Sequence, residues 1–370
     1  MKKFLAVIAS VTLAISMLAF TGCKDKESNP NVINGNYKDA TVEEVKTELS
    51  KVDFSNAFGD VTVNDYKLGL ELSENLSIVM DTTVNGIGAN YSIGTDTNYK
   101  LVCTDLENLT ITGSGYANVS GKVTASAGKQ KETLDLSLKT NVYNDSEYAY
   151  IDLYEVKGFD IMYEGLTTMK VKASFEDLID FIGGIGDEDY PIEGDTNLTP
   201  ADEIIVSPDE SEEGGEIIAV PGMDINVLLQ MLDQLKIKVA LDTDNGLKAK
   251  ISFTKESYEA ILALAESDAE ADEIGDIVES IAMLKDALTV NTLNIDIYIA
   301  FDANGLFSGF AVDCNIDVKI NSDKVPDMPI ELGDYTLKVT GGMNLKLYNG
   351  DITLPTGLAT DKKYIDIFAE

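Results

Sequence analysis

The chain of 370 residues has no histidine, no tryptophan and no arginine, so all 28 of its basic residues are lysines. Each absence removes chemistry. Without imidazole there is no serine–histidine or cysteine–histidine nucleophile pair and no histidine-bearing zinc site. Without guanidinium, the planar fork that grips phosphate and guanine bidentately is missing. Against the lysines stand 64 acidic residues, for a formal net charge of −36. A surface so negative repels nucleic acid, and no nucleic-acid partner is expected. Nucleophile-elbow and phosphate-loop motifs are also lacking. "GSGY" at 113–116 fits a sheet turn and "GGIG" at 183–186 a helix stop. Carboxylate chemistry stays open in principle, but no acidic pair stands out among so many. The chain is read as non-enzymatic, with no cofactor and no metal site.

Long apolar runs are scarce too. The one that is present lies at the start: Lys2 and Lys3, then Phe4 to Phe20 interrupted only by Ser10, Thr12 and Ser16, then Gly22 and Cys23. The polar stretch "KDKESNPN" follows at once. A basic end, an apolar core and a small residue at a cut is the pattern of an export signal. At 17 residues the run is at the short limit for crossing a bilayer. Its end, "FTGC", resembles the lipobox of bacterial lipoprotein signals. That resemblance implies removal of residues 1–22, lipid attachment at Cys23, and a body held outside the cytoplasm at the bacterial cell membrane. With Cys23 acylated, Cys103 and Cys314 remain, either as a disulfide in an oxidising exterior or as two separate core thiols.

Beyond the signal, residues 23–36 read as a flexible tether rich in charge, Asn, Pro and Gly. A short helix follows over 39–52, capped by Asp39 or Thr41, with Val42, Val45 and Leu49 on one face. The first part of the body, 37–182, is mainly strand and turn. Leu134, Leu136 and Leu138 alternate with Thr133, Asp135 and Ser137, and Ala149, Ile151 and Leu153 repeat the pattern beyond an "NDSE" turn. Such alternation marks half-solvated antiparallel strands. A short helix is expected at 175–182. Residues 183–222 are acidic and broken by Pro and Gly, and read as a flexible loop or linker.

The second part of the body, 223–370, carries the clearest patterns. A helix is expected from Asp224. A hairpin follows, with Ile237, Val239 and Leu241 facing Leu247, Ala249, Ile251 and Phe253 around an Asn245–Gly246 turn. Helices return at 255–267 and 272–287, the latter with Ile277 and Ile281 on its apolar side. A second hairpin places Leu293, Ile295, Ile297, Ile299 and Phe301 against Phe310, Val312, Cys314, Ile316, Val318 and Ile320.

These patterns predict a mainly β fold with helices (α+β): a curved antiparallel sheet or half-barrel covered by amphipathic helices. The order of elements over roughly 40–348 resembles the lipoprotein-carrier and mycobacterial-type lipoprotein half-barrel. That likeness implies a site for acyl chains. Ile277, Ile281, Ile295, Ile297, Val312 and Ile316 are the candidate pocket lining; the alternative is that they fill an ordinary core. Two functions follow as expectations: a membrane-anchored extracytoplasmic lipoprotein that binds a lipid or other amphiphile, or a non-catalytic cell-envelope structural or protein-interaction module. The expected partners are the membrane, through the lipidated N-terminus, and an amphiphile or a cell-envelope protein.

Overall fold

A computed structural model describes residues 33–52, 68–84, 87–105, 110–159, 166–175, 177, 232, 234–266, 285–321, 324 and 334–368. Among the described residues the first elements are strand β1 (Lys38–Asp39) and helix α1 (Val42–Leu49). Thr41 is the N-cap: its hydroxyl accepts from the Glu44 backbone N–H while the Glu44 carboxylate accepts from the Thr41 backbone N–H. This reciprocal box satisfies two amides that the helix cannot bond internally.

Four long strands and two shorter ones follow: β2 (Leu68–Val84), β3 (Ile87–Asp105), β4 (Thr110–Ala127), β5 (Gln130–Asn144), β6 (Tyr148–Lys157) and β7 (Met169–Ser174). The later part adds β8 (Lys238–Asp242), β9 (Leu247–Thr254), α2 (Lys255–Glu266), β10 (Leu288–Phe301), β11 (Phe307–Asn321), β12 (Asp334–Leu347), a 3-10 turn (Leu358–Thr360) and β13 (Tyr364–Asp366). The short helix α1 and helix α2 lie within the expected spans 39–52 and 255–267. The helix expected from Asp224 and the one at 272–287 lie almost wholly outside the described residues, as do most of 175–182, the tether and the acidic loop.

All thirteen strands form one sheet, in the order β1-β8-β9-β10-β11-β12-β2-β3-β4-β5-β6-β7-β13. Two antiparallel meanders make it up. The first runs β2 to β7 and the second β8 to β12, and the ladder between β12 and β2 joins them. The chain ends are exchanged. β1 precedes the first meander yet pairs with β8 of the second, while β13 follows the second meander yet lies parallel to β7 of the first. Each outer edge is thereby closed by a strand of two or three residues, a short edge that offers little template for further pairing.

The sheet is open, and the half-barrel expectation is corrected here. Its ladder ends at β1 and β13, which do not meet. Most of the helices expected to cover a concave side lie outside the described residues. Among the described residues α1 packs mainly on β8, and α2 on β9 and β10. The physical reason lies at the edges: β1 and β13 are strands of two and three residues, which offer too short a ladder to close the sheet on itself. The likeness to the lipoprotein-carrier and mycobacterial-type fold falls with the half-barrel. The lipoprotein and membrane-anchor descriptions find no support either: Cys23 lies outside the described residues, and no described helix is long and apolar enough to cross a membrane.

Packing concentrates at the sheet's ends. Near β8–β10, Val45, Leu232, Val239, Leu241, Leu247, Ala249 and Phe301 form the largest apolar cluster. At the other end Val171, Ala173 and Ile367 make a smaller one, and Tyr150, Leu358 and Tyr364 another.

Candidate functional site

Register turns the alternation of each strand into two continuous faces. Reading across one row, Ile251, Ile297, Val312, Met343, Glu74, Thr97, Ala117 and Thr140 are successive partners. The next row reads Phe253, Ile295, Cys314, Gly341, Leu76, Thr95, Val119 and Leu138. Apolar and small residues dominate this side. On β3 it reaches solvent, where Ile87, Tyr91 and Ile93 are 51 %, 38 % and 48 % exposed. The opposite side is polar and largely self-neutralised. Lys250 meets Asp296 at 2.9 Å, Lys338 meets Asp317 at 3.3 Å and Lys346 meets Glu71 at 3.2 Å.

The chain ends lie against the polar side. Residues 33–37 reach β8 to β11: the Asn36 amide donates to Asp242 Oδ2 at 2.9 Å, and the Tyr37 ring meets Tyr298 edge-on at 5.8 Å. Burial, with the charge of Asp242, pushes the Tyr37 hydroxyl up to about 12. Lys248 also bonds Asp242, at 3.1 Å. The Asp242 carboxyl is held below its usual range, first by the Asp244 backbone amide, then by the Asn36 amide and Lys248. At the far end Leu358 packs with Tyr150 and Tyr364.

Of the six candidate pocket residues, four come together. Ile297 faces Val312, and Ile295 and Ile316 lie in adjacent rows of the same side of β10 and β11. Ile277 and Ile281 lie outside the described residues. The four line a sheet face, and neither of the two principal cavities includes them. A cavity of about 880 Å³ sits at the β1–β8 edge against Ala40, Val42, Leu232, Ile237 and Val239. One of about 560 Å³ lies on the polar side against Asp81, Asn90, Thr124, Ser126 and Lys131. Cys103 and Cys314 are both buried. Cys314 shares a row with Gly341, Leu76 and Thr95, and Cys103 lies eight residues further along β3. Eight strand residues span roughly 26 Å, several times the Cα separation a disulfide bridges, so they are separate core thiols. Among the described residues no group of three or more His, Cys, Asp or Glu side chains is placed to hold a metal ion.

One residue on the apolar side stands apart. Glu74 is 3 % exposed, and the Thr95 hydroxyl donates to its Oε1 at 2.6 Å. Burial pushes its carboxyl up to about 7, against the opposing hydrogen bonds from Thr95 and Thr97 and with a further rise from the charge of Asp96. The signal for it is in the sequence: along Leu70, Leu72, Glu74, Leu76, Ile78 and Met80, an acid occupies an apolar phase.

No family model matches the chain, and no curated protein matches it. Two solved structures show a remote likeness. One is a β-barrel-like protein with a domain of unknown function from Brucella abortus, at 7 % identity, covering 76 % of this chain and 98 % of that one, with a TM-score of 0.14. The other is the translocator domain of the autotransporter NalP from Neisseria meningitidis, at 5 % identity, covering 83 % of this chain and 94 % of that one, with a TM-score of 0.15. At such scores neither likeness assigns a fold or an activity to this chain.

Proposed function

We propose that the protein is a non-catalytic structural or protein-interaction module of the cell envelope, working outside the cytoplasm. The observation that carries this reading is the exposed apolar ground on β3, where Ile87, Tyr91 and Ile93 present ring and aliphatic surface from a rigid ladder. A broad sheet with one apolar side and one neutralised polar side suits broad surface contact better than enclosure of a small molecule. Large exposed apolar ground of this kind marks surfaces that meet a partner. The export-signal pattern at the N-terminus supports the location.

The test is photocrosslinking in intact cells. A crosslinker at Tyr91 or Ile93 is expected to capture one recurrent protein neighbour, and a crosslinker at Lys122 on the polar side is expected to capture far less of it. Equal yields from both sides would overturn the reading. An amphiphile co-purifying with the full chain in native mass spectrometry, with no protein neighbour captured, would move the assignment to an apolar-ligand binder.

A further inference from the structure

The two meanders meet along β12 and β2, and Glu74 sits in the middle of that junction. It lies directly opposite Met343 on β12 and Thr97 on β3. Beside it, Gly341 and Gly342 face Leu76 and Asn75. Glycine in a strand interior contributes no side chain to packing and weakens the strand. The junction is therefore thinnest next to its one buried acid.

Among the described residues, no charged group on the same side of the sheet compensates a charge on Glu74. From β3, the facing groups are Thr95, Thr97 and Tyr99, and burial pushes the Tyr99 hydroxyl up to about 12, so it stays neutral. From β12 they are Gly341, Met343 and Leu345, and on β2 itself Leu72 and Leu76, none of them ionisable. The charged neighbours among the described residues lie across the sheet. Asp96 is an anion that makes matters worse. Lys346 and Lys100 are both directed to Glu71, at 3.2 Å and 3.9 Å. The hydroxyls of Thr95 and Thr97 donate to the carboxylate and favour its anion, but burial among apolar side chains outweighs them and favours the protonated form. As an anion the carboxyl becomes an unpaired buried charge, which is costly.

We propose that Glu74 is a proton-operated latch on the junction between the two meanders: the protonated acid closes β12 against β2 and β3, and loss of the proton loosens them. The direction follows from the raised carboxyl. It shifts from 4.5 to about 7. A group raised in the folded state contributes stability that is full below its unfolded value and is lost as pH rises through its folded value. The junction is tight under acid conditions and weakens through neutrality, opening first beside Gly341 and Gly342.

The full chain and a Glu74→Gln variant of it test this together. Carboxyl titration by ¹³C NMR is expected to show one glutamate with a midpoint well above the ordinary range, missing from the spectrum of Glu74→Gln. If every glutamate titrates in the ordinary range, the latch does not exist. Hydrogen exchange, corrected for intrinsic rates, is then compared at pH 5.5 and 8. Protection in residues 70–80, 93–99 and 337–346 is expected to fall several-fold at the higher pH in the wild type and to stay level in Glu74→Gln. Parallel behaviour of the two proteins, or a loss spread evenly over all strands, would equally overturn the proposal. Should Glu74→Gln fail to fold, Thr97→Val serves in its place. Removing that hydroxyl is expected to move the titration midpoint further upward, and no shift counts against the latch.

Discussion

The two meanders are built from the same antiparallel plan with different material. The second spends its apolar phase on large side chains: Ile295, Ile297, Ile299 and Phe301 on β10 face Cys314, Val312, Phe310 and Phe307 on β11. Two helices and the largest apolar cluster stand at its outer end. In the first meander the strands are longer, 17 to 19 residues for β2 to β4, and the apolar phase of β4 intersperses Gly113, Gly115, Ala117 and Gly121 among Ile111, Val119 and Val123. It adds ladder length to the burial of Leu76, Val102, Leu136 and Tyr150. Backbone hydrogen bonds contribute modestly each, while burial of a large side chain contributes about 1.5–3 kcal/mol. Truncating a buried residue of the second meander should therefore cost more than truncating the half-exposed Ile87 or Ile93 of the first.

The largest effect is expected at Phe301, which is buried in the main cluster with Leu241, Leu247 and Ala249. Phe301→Ala should cost about 3–5 kcal/mol, from lost burial and the cavity left behind. Denaturant midpoints compared at constant slope measure it. A loss below about 1 kcal/mol would erase the contrast between the meanders.

Asp242 comes next, because it ties the N-terminal segment to the second meander. Asp242→Ala removes an acceptor from the Asn36 amide, the Asp244 amide and Lys248. Hydrogen bonds to charged groups contribute about 1.5–3 kcal/mol, and a loss in that range is expected, with proteolysis beginning ahead of Tyr37. The pH signature has the opposite sign to that of Glu74. The Asp242 carboxyl is lowered in the folded protein, so its contribution is present above the unfolded value near 3.8 and is lost as pH falls through the folded one. Acid should narrow the gap between wild type and Asp242→Ala, whereas acid strengthens the Glu74 junction.

How much of this was readable from the sequence follows the same division. In the second meander the alternation is written in Ile, Val and Phe, and the core of each expected face is found paired, as in Ile295–Cys314, Ile297–Val312 and Val239–Ile251. In the first, the apolar phase passes through Gly113, Gly115, Ala117 and Thr95, so alternation fades and single long strands read as short runs. The helix cap was readable as Asp39 or Thr41 because it is local, and Thr41 takes it; the exchange of β1 and β13 was not, since it joins residues about two hundred apart. The half-barrel failed because the patterns say which side of a strand is apolar and nothing about whether a sheet curls. Four candidate pocket residues do share a side, but a shared side is not a concavity. Glu74 was visible as a break of phase, a signal overlooked beside the isoleucines.

Turn glycines give a finer comparison. Gly246 between β8 and β9 has φ +97°, and a Cβ there would lie 2.2 Å from the Phe301 carbonyl oxygen. Gly128 between β4 and β5 has φ +62° and nothing within 4 Å of the same atom. Gly128→Ala meets only the left-handed backbone cost, about 1–2 kcal/mol. Gly246→Ala meets that cost and must also move backbone of the neighbouring strand, so its unfolding midpoint should fall further than that of Gly128→Ala. Equal losses would show that the second meander yields as readily as the first.

The smallest effect is expected at Ile93, and it bears on both stability and function. Ile93 sits opposite Ile78 and Gly121 on the apolar side, yet is 48 % exposed. Ile93→Thr keeps the branched β-carbon that suits a strand and removes apolar surface that is already half in water. Its stability cost should stay within about 0.5 kcal/mol, the range of ordinary surface changes. Capture of a protein neighbour from a crosslinker at Tyr91 should nonetheless fall, because the contact ground itself has changed. A stability loss as large as that of Phe301→Ala would mean that Ile93 serves the core of the first meander rather than a partner, and the proposed interaction surface would have to be sought elsewhere on the sheet.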